Sequence, residues 1–386
     1  MGTLNEADDG VDRDDPWGSW RKARPEPSGL HLDSAAAGRS SLRVLGAVAD
    51  HALLEAKVGA YVAQEMAEES LGAARTALAR LLGMPEEGVA FVESATAALG
   101  ALLQAWPFEP DATLAVVPSE WGPNLAAFVR RGLRLVELQV DADGCLDLSE
   151  LDRVLQAAPP AAVHITQVAS HRTLVQPVAD IAGLCRAVEV PLFVDAAQAL
   201  GHVDTATGAD VIYGTSRKWL TGPRGVGVLG VASQWFELLR SRLAATAPGT
   251  AGESVGTLLS SRESHVAGRL GLGMAAREHL LLGPSAVWAR LADVGQATRR
   301  VCDDLANWQV IGPVDGPSAI TALRPTEGQD VMQARSHLLH EHGIVTTGQE
   351  PFRAPRDMTS PTLRVSPHVD CTAEDLIRLR NALAAI

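Results

Sequence analysis

The chain has 386 residues, enough for two domains and a large core, and a formal net charge of −13. That charge excludes a surface built for nucleic acid or an anionic membrane. With 20% charged and 4% aromatic residues, the composition is that of an Ala/Val/Leu-rich soluble enzyme.

Residues 1–28 are rich in Asp, Glu, Pro and Gly without periodicity and are expected to form a disordered leader. They lack the basic and apolar regions of a signal peptide, and no apolar stretch approaches the ~20 residues needed to span a bilayer. Cys145, Cys185, Cys302 and Cys371 have neither CxxC nor metal-ligand spacing and are expected as free thiols in a reducing, cytoplasmic setting.

The segment His31 to Ala37 is expected as a short strand opening onto small residues, Ala35 among them, that allow close backbone approach. Leu42 to Leu82 has helical periodicity, expected as two helices joined near Glu68–Ser70. From Gly88 onward strand and helix patterns alternate. Strands are predicted at 88–93, 113–118, 134–140, 161–168, 191–196, 209–214 and 225–231, with helices around 95–106, 122–131, 148–157 and 179–188. Such alternation predicts an α/β fold, a mostly parallel seven-stranded sheet covered on both faces. After residues 235–243, the Gly/Ser/Thr-rich stretch at 244–262 is expected as a linker or mobile loop. An α+β unit follows: helices at 264–282, 285–307, 329–342 and 372–385, and strands near 318–324, 344–348 and 362–366. The last helix opens on a capping-box pattern, Thr372-x-x-Asp375. The predicted division is a large domain over 29–255 and a small one over 256–386.

Three lysines occur in the chain: Lys22, Lys57 and Lys218. Lys218 alone stands in a Gly- and Val-rich, strand-forming context, where a routine ammonium would be costly to bury. A lysine kept where arginine serves elsewhere points to an amine that must lose its proton and form a bond. A Schiff base with an aldehyde fits, and pyridoxal phosphate is the commonest partner. Upstream, Pro191 to Asp195 reads as a buried strand ending in a carboxylate, at the sheet edge where α/β ligands bind. A protonated pyridine nitrogen would partner Asp195, and Gln198 could reach a ring hydroxyl.

Glu93-Ser-Ala95-Thr96 joins a strand to a helix, where free N–H groups and a hydroxyl could hold a phosphate. Taken alone it reads as a simple N-cap. Trp121, after the next strand, could stack on a pyridine ring or serve as a core tryptophan. Gln167 and His171 follow another strand to the same rim. Thr215, Ser216 and Arg217 suit a second phosphate clamp. Arg364, a lone charge in a strand, could bind a carboxylate bidentately or form a surface ion pair. Gly225-x-Gly227-x-x-Gly230 has dinucleotide spacing but lies within a strand, so it is discounted. His337, His340 and His342 lack a matching carboxylate, and no metal is expected.

In combination, Leu32-Asp-Ser-Ala35, Val194-Asp-Ala-Ala-Gln198, Thr215-x-x-Lys218 with Gly222-Pro-x-Gly225-x-Gly227, and Leu363-Arg-Val-Ser366 resemble the class V aminotransferase-like family. Those are fold-type I pyridoxal-phosphate enzymes, and the resemblance covers roughly residues 30–386. It implies that Lys218 carries the cofactor, Asp195 meets the ring nitrogen and Gln198 the ring oxygen. Ala95, Thr96, Thr215, Arg217 and Gln167 would complete the cofactor site, with Trp121 stacked on the ring. Arg364 would bind the substrate carboxylate, with Ala35 and His171 nearby. A homodimer with sites near its interface is implied, with a partner phosphate contact near Ser264–His265.

The segment Gly348 to Arg353 holds no cysteine where desulfurases carry their nucleophile, and His171-Arg172-Thr173 with Val175-Gln-Pro177 resembles the lyase and epimerase branch. Within it the chain is most similar to C–S lyases of ergothioneine biosynthesis, which implies β-elimination from a cysteine-conjugate sulfoxide. Aminotransfer, epimerisation and desulfuration remain the alternatives. Tyr61, Trp121 and Phe352 are the aromatics expected to meet a trimethylammonium group on such a substrate.

Overall fold

The computed structural model describes residues 14–246 and 252–386. A short strand β1 (Leu30–His31) precedes the large sheet. Its strands are β2 (Val89–Val92), β3 (Thr113–Val116), β4 (Arg134–Glu137), β5 (Ala162–Thr166), β6 (Leu192–Asp195), β7 (Val211–Thr215) and β8 (Gly227–Val231). They lie in the order β2-β8-β7-β6-β5-β3-β4, parallel except that β8 runs antiparallel to both neighbours. All seven match the predicted strands. Strands β5 to β8 are buried at every position, the signature of a sheet covered on both faces.

The connecting helices begin where the sequence supplies caps. Ser94 accepts from Ala97 N at the start of helix Ala95–Ala105, and Asp147 accepts from Ser149 and Glu150 at the start of Leu148–Ala157. On one side, helix Val266–Leu282 packs between Leu42–Val58 and Glu68–Leu82. Small residues permit the close approach: a Cβ at Gly273 would lie 2.3 Å from Ala74 Cβ.

The second unit is a four-stranded sheet, β12-β13-β10-β9, formed by β9 (Trp308–Ile311), β10 (Thr321–Pro325), β12 (Thr347–Gln349) and β13 (Thr362–Val365). The two-residue strand β11 (Ile344–Val345) instead pairs with β1, which stitches the N-terminal segment to this unit. The expected capping box of helix Ala373–Ala384 is present in both directions.

Four expectations need correction. Residues 42–82 form three helices, not two. The chain breaks at Gly59 (φ 91°), where a left-handed conformation favours glycine, and again at Ala67. The leader is not structureless throughout: residues 16–22 form a helix capped by Asp15, anchored by buried Trp20 against His368. Residues 1–13 lie outside the described residues. The expected linker contains the end of helix Phe236–Thr246 and a short helix Val255–Leu259; residues 247–251 lie outside the described residues. That short helix packs on β2, and Val266–Leu282 on the N-terminal helices, so a division at 255/256 cuts through the large unit. Strand β9 was not foreseen. Among the described residues no helix is long and apolar enough to cross a membrane.

Candidate active site

The carboxyl ends of the parallel strands open into a cavity of about 500 Å³ beneath the second unit. Its lining includes Ala35, Ala95, Thr96, Trp121, Asp195, Gln198, Thr215, Arg217, Lys218, Phe352 and Arg364. Eleven of the fourteen residues expected at the site are thereby brought together.

The loop after β7 presents Lys218. It is held from outside by the N-terminal segment: Gly38 N donates to Arg217 O at 2.7 Å, and a Cβ at Gly38 would strike Lys218 O at 2.3 Å. The Lys218 amine is pushed down to about 7, chiefly by burial. Arg217, Arg364 and Arg353 add to the effect, and Asp195 opposes it. Near neutrality this amine is therefore available as a base or nucleophile.

Asp195 ends β6. Register places Thr166 and Tyr213 on either side of it. Its Oδ1 accepts from Ala197 N and its Oδ2 from Asn124 Nδ2, both at 2.8 Å. Burial and the neighbouring Glu120 push its carboxyl above the usual range, so a cation placed against it would be strongly favoured. Behind it lies a network that sequence reasoning missed. The same Asn124 amide donates to Glu120 Oε1 (2.9 Å), which also accepts from Thr166 Oγ1 (2.7 Å) and Trp121 N (2.8 Å). His164 Nδ1 meets Glu120 Oε2 and its Nε2 meets the Tyr213 hydroxyl, each at 2.8 Å. Burial alone would raise Glu120, but His164 and the donors outweigh it and hold the carboxylate low. The available signal was the i, i+4 pair Glu120/Asn124 on the turn after β3.

Gln198 is locked. Trp219 Nε1, which can only donate, binds its Oε1 at 2.8 Å, so the amide nitrogen faces Ala35 O (2.9 Å) and can only donate. Trp219 is stacked on His202 at 3.9 Å. His202 donates through Nδ1 to Gln198 O and accepts Ala319 N through Nε2, so it stays neutral, with burial pushing it down to about 4. His368 donates to Trp219 O on the other side and stacks on Trp20 at 4.4 Å.

At the phosphate side, helix Ala95–Ala105 points its first N–H groups at the cavity, with Thr96, Thr215 and Arg217 around them. Gly227 allows this closeness, since a Cβ there would lie 2.7 Å from Gly214 O and 3.0 Å from Ser94 Cα. It lies at the start of β8, so the glycine-spaced motif is strand and not a dinucleotide turn. The charge on Glu93 lies near Arg269.

Arg364, on β13, donates to Asp33 Oδ1 and Ser170 O, each at 3.2 Å; Asp33 also accepts from Thr347 Oγ1. Three expected residues are not in the lining. Gln167 is one residue out of phase with Thr166 and Val168, which do face the cavity, and its Nε2 donates to Asp204 O. His171 turns to Asp357 (2.6 Å), where Arg172 also binds, and so ties down the turn that follows Phe352. Tyr61, on the helix that begins after Gly59, is 84% exposed. Asn124, Ser119, Thr166 and Arg353 enter the lining unforeseen.

The chain belongs to the class V aminotransferase family, whose model matches residues 30–379. It is 48% identical over 369 residues to a protein of Mycobacterium tuberculosis (strain CDC 1551 / Oshkosh) described as a probable hercynylcysteine sulfoxide lyase; the match spans 95% of this chain and 92% of that one. Similarity to a cysteine desulfurase of Dickeya dadantii (strain 3937) is 28% over 67% of this chain and 68% of the relative. Among solved structures, an apo cysteine desulfurase from Thermococcus onnurineus NA1 has the same fold, with a TM-score of 0.83 at 19% identity, covering 100% of this chain and 99% of the other.

Members of this class are pyridoxal-phosphate enzymes, and pyridoxal 5'-phosphate is the cofactor of this chain. The residues present fit it. A buried amine of lowered pKa, a strand-end carboxylate lacking a cation, and a helix N-terminus flanked by hydroxyls and a guanidinium converge on one cavity.

Proposed function

We propose that the protein is a pyridoxal-phosphate-dependent carbon–sulfur lyase acting by β-elimination on a cysteine-conjugate sulfoxide, hercynylcysteine sulfoxide. The products are a sulfenic acid that becomes ergothioneine on reduction, pyruvate and ammonia. The single observation that carries this reading is the 48% identity, across nearly the whole chain, to the mycobacterial relative. The fate of the cysteines supports it. No cysteine lines the cavity among the described residues, and the turn facing it is Pro351-Phe-Arg353. Cys185 and Cys302 are buried, each thiol pushed up to about 12 by that burial, so neither offers a thiolate to accept sulfur.

In this reading Lys218 holds the cofactor, Asp195 keeps its ring nitrogen charged, Gln198 donates to its ring oxygen and Trp121 covers its face. Thr96, Thr215, Arg217 and the N–H groups of Ala95 and Thr96 hold its phosphate. The cofactor supplies a sink for electrons released at the substrate Cα. Arg364 fixes the α-carboxylate. With pyridoxal phosphate and substrate in place, the Lys218 amine, whose proton is easily lost near neutrality, would take the proton from the substrate Cα. Asn124 and Ala197 keep Asp195 in place and ionised while that happens.

We read the enzyme as a homodimer of the cytoplasm, a setting that suits four free cysteines. Leu42, Leu45 and Leu53 are exposed on one side of the helix before Gly59, and Tyr61, Val62 and Met66 are exposed on the helix after it, which supports a partner there. Tyr61 would then serve the partner's site. The test is pyruvate release by purified holoenzyme from hercynylcysteine sulfoxide, its thioether and free cysteine. The reading expects the sulfoxide to be preferred by at least ~100-fold in kcat/KM. Sulfide and alanine from cysteine, with no pyruvate from the sulfoxide, would overturn it.

A further inference from the structure

Arg353 ends the short turn Pro351–Arg353 that faces Lys218 across the cavity. The sequence placed it only at the end of the segment Gly348 to Arg353, with no role of its own. Its guanidinium carbon lies 5.7 Å from the Trp121 ring centre and 5.9 Å from that of Phe352, along two aromatic edges of the cavity. Its Nε is fully buried without a hydrogen-bond partner, and its guanidinium forms no ion pair with any described residue. Arg364, by contrast, is already matched by Asp33.

The unmatched cation is held in place. A Cβ at Gly122 would lie 2.1 Å from Phe352 O, so the turn is seated directly on the Trp121–Gly122 backbone. Downstream, His171 and Arg172 both grip Asp357. Burial lowers Arg353, and its charge in turn depresses Lys218 and Arg364, which places it within electrostatic reach of both.

A half-buried guanidinium in ion-pair contact with no carboxylate, compensated only at longer range by Asp33 and Glu350, is unfavourable unless the reaction brings it a partner. The reaction proposed above involves four anionic groups. The phosphate has the helix N-terminus, Thr215 and Arg217, and the cysteine α-carboxylate has Arg364. The betaine carboxylate has the trimethylammonium on its own carbon, and its charge does not change during the reaction. The fourth is the oxygen on sulfur, dipolar in the substrate and carrying a full charge once the carbon–sulfur bond has broken. Donors preorganised toward charge that grows in the transition state are the most effective kind.

We propose that Arg353 receives the sulfur-bound oxygen and holds the departing sulfenate, which makes the site selective for cysteine conjugates oxidised at sulfur. The step balances without an outside oxidant or reductant. Lys218 takes the Cα proton, the Cα–H pair becomes the Cα=Cβ bond, and the Cβ–S pair leaves as RSO⁻ paired with Arg353. This inference rests on the lyase reading, and the experiment separates the two.

Holoenzyme of wild type, Arg353→Gln and Arg353→Lys is assayed for pyruvate from hercynylcysteine sulfoxide and from β-chloroalanine, whose leaving group carries no oxygen. In the Gln variant the ratio of the two kcat/KM values should fall about ten- to a hundredfold, the loss expected for one charge-assisted hydrogen bond. The Lys variant should restore part of it. Calorimetry with α-methyl-S-methylcysteine and its S-oxide, which have no Cα proton to lose, gives a readout without turnover. The wild type's tighter binding of the S-oxide should shrink in the Gln variant. An unchanged ratio and an unchanged binding preference, in a wild type that does cleave the sulfoxide, would overturn the role of Arg353 alone. A wild type that eliminates chloride but never touches the sulfoxide would overturn the lyase reading and this inference with it.

Discussion

Lys218 is surrounded by three guanidinium groups and buried apolar surface, and the consequence is a proton easily lost. Its folded pKa, about 7, lies below that of the unfolded chain, near 10.4. In that window the unfolded state binds more protons, so stability rises with pH. Thermal melts of the cofactor-free protein should therefore show wild type gaining on Lys218→Ala from pH 7 toward 10, with the deficit of wild type largest below 7. Parallel curves would mean the ammonium is not strained by burial. Asn124 supports a second test. It bridges Asp195 and Glu120, and Asn124→Ala leaves two buried carboxyl groups short of a donor. A loss of about 1.5–3 kcal/mol, or ~10–100-fold in kcat/KM, is expected with weakened cofactor retention. Lys218, Asp195, Gln198 and Arg364 stood out because polar or charged residues interrupt or directly follow apolar strands, and because Lys218 is one of only three lysines. Asn124, Glu120, His164 and Tyr213 were not, since their meeting depends on the register of β5, β6 and β7, which no local pattern encodes. Gln167 falls outside the cavity lining for the reason period-two structure makes common: one step along the chain from Thr166 or Val168 reverses the face.

Among the elements, the helix Pro16–Lys22 has consequences beyond its length. Trp20 joins a stack through His368 and Trp219 that ends on Gln198. Trp20→Ala should cost about 3–5 kcal/mol, visible as a lowered Tm, because a buried indole leaves a cavity that cannot close. A melt within a degree of wild type would show the helix to be idle. At the other side, Gly227→Ala should loosen cofactor binding while the fold survives, since the added methyl collides with the backbone of Ser94 and Gly214. Equilibrium dialysis of the cofactor reads that effect. The leader helix was hidden by a Pro- and Asp-rich composition that suits disorder, although Asp15 and Pro16 are an N-cap and first-turn pair in hindsight. The break at Gly59 was likewise invisible in a periodicity that continues across it.

Taken whole, the molecule is two units closing over one sheet edge, fastened by the pairing of β1 with β11 and by Asp33 between Arg364 and Thr347. The alternation of strands and helices made the large unit legible almost strand by strand. The second unit was less so, since β9 and the split of 344–349 into two strands serve different sheets. If a partner covers the exposed apolar residues around Tyr61, then Met66→Asp together with Val62→Asp should shift sedimentation to that of a monomer and reduce turnover. A pair of charges tolerated in an intact dimer would move the interface elsewhere. The most direct measurement concerns the amine itself. Borohydride reduction of the holoprotein, followed by proteolysis and mass mapping, should place a phosphopyridoxyl group on the peptide containing Lys218. A label on Lys22 or Lys57, or none at all, would contradict the account.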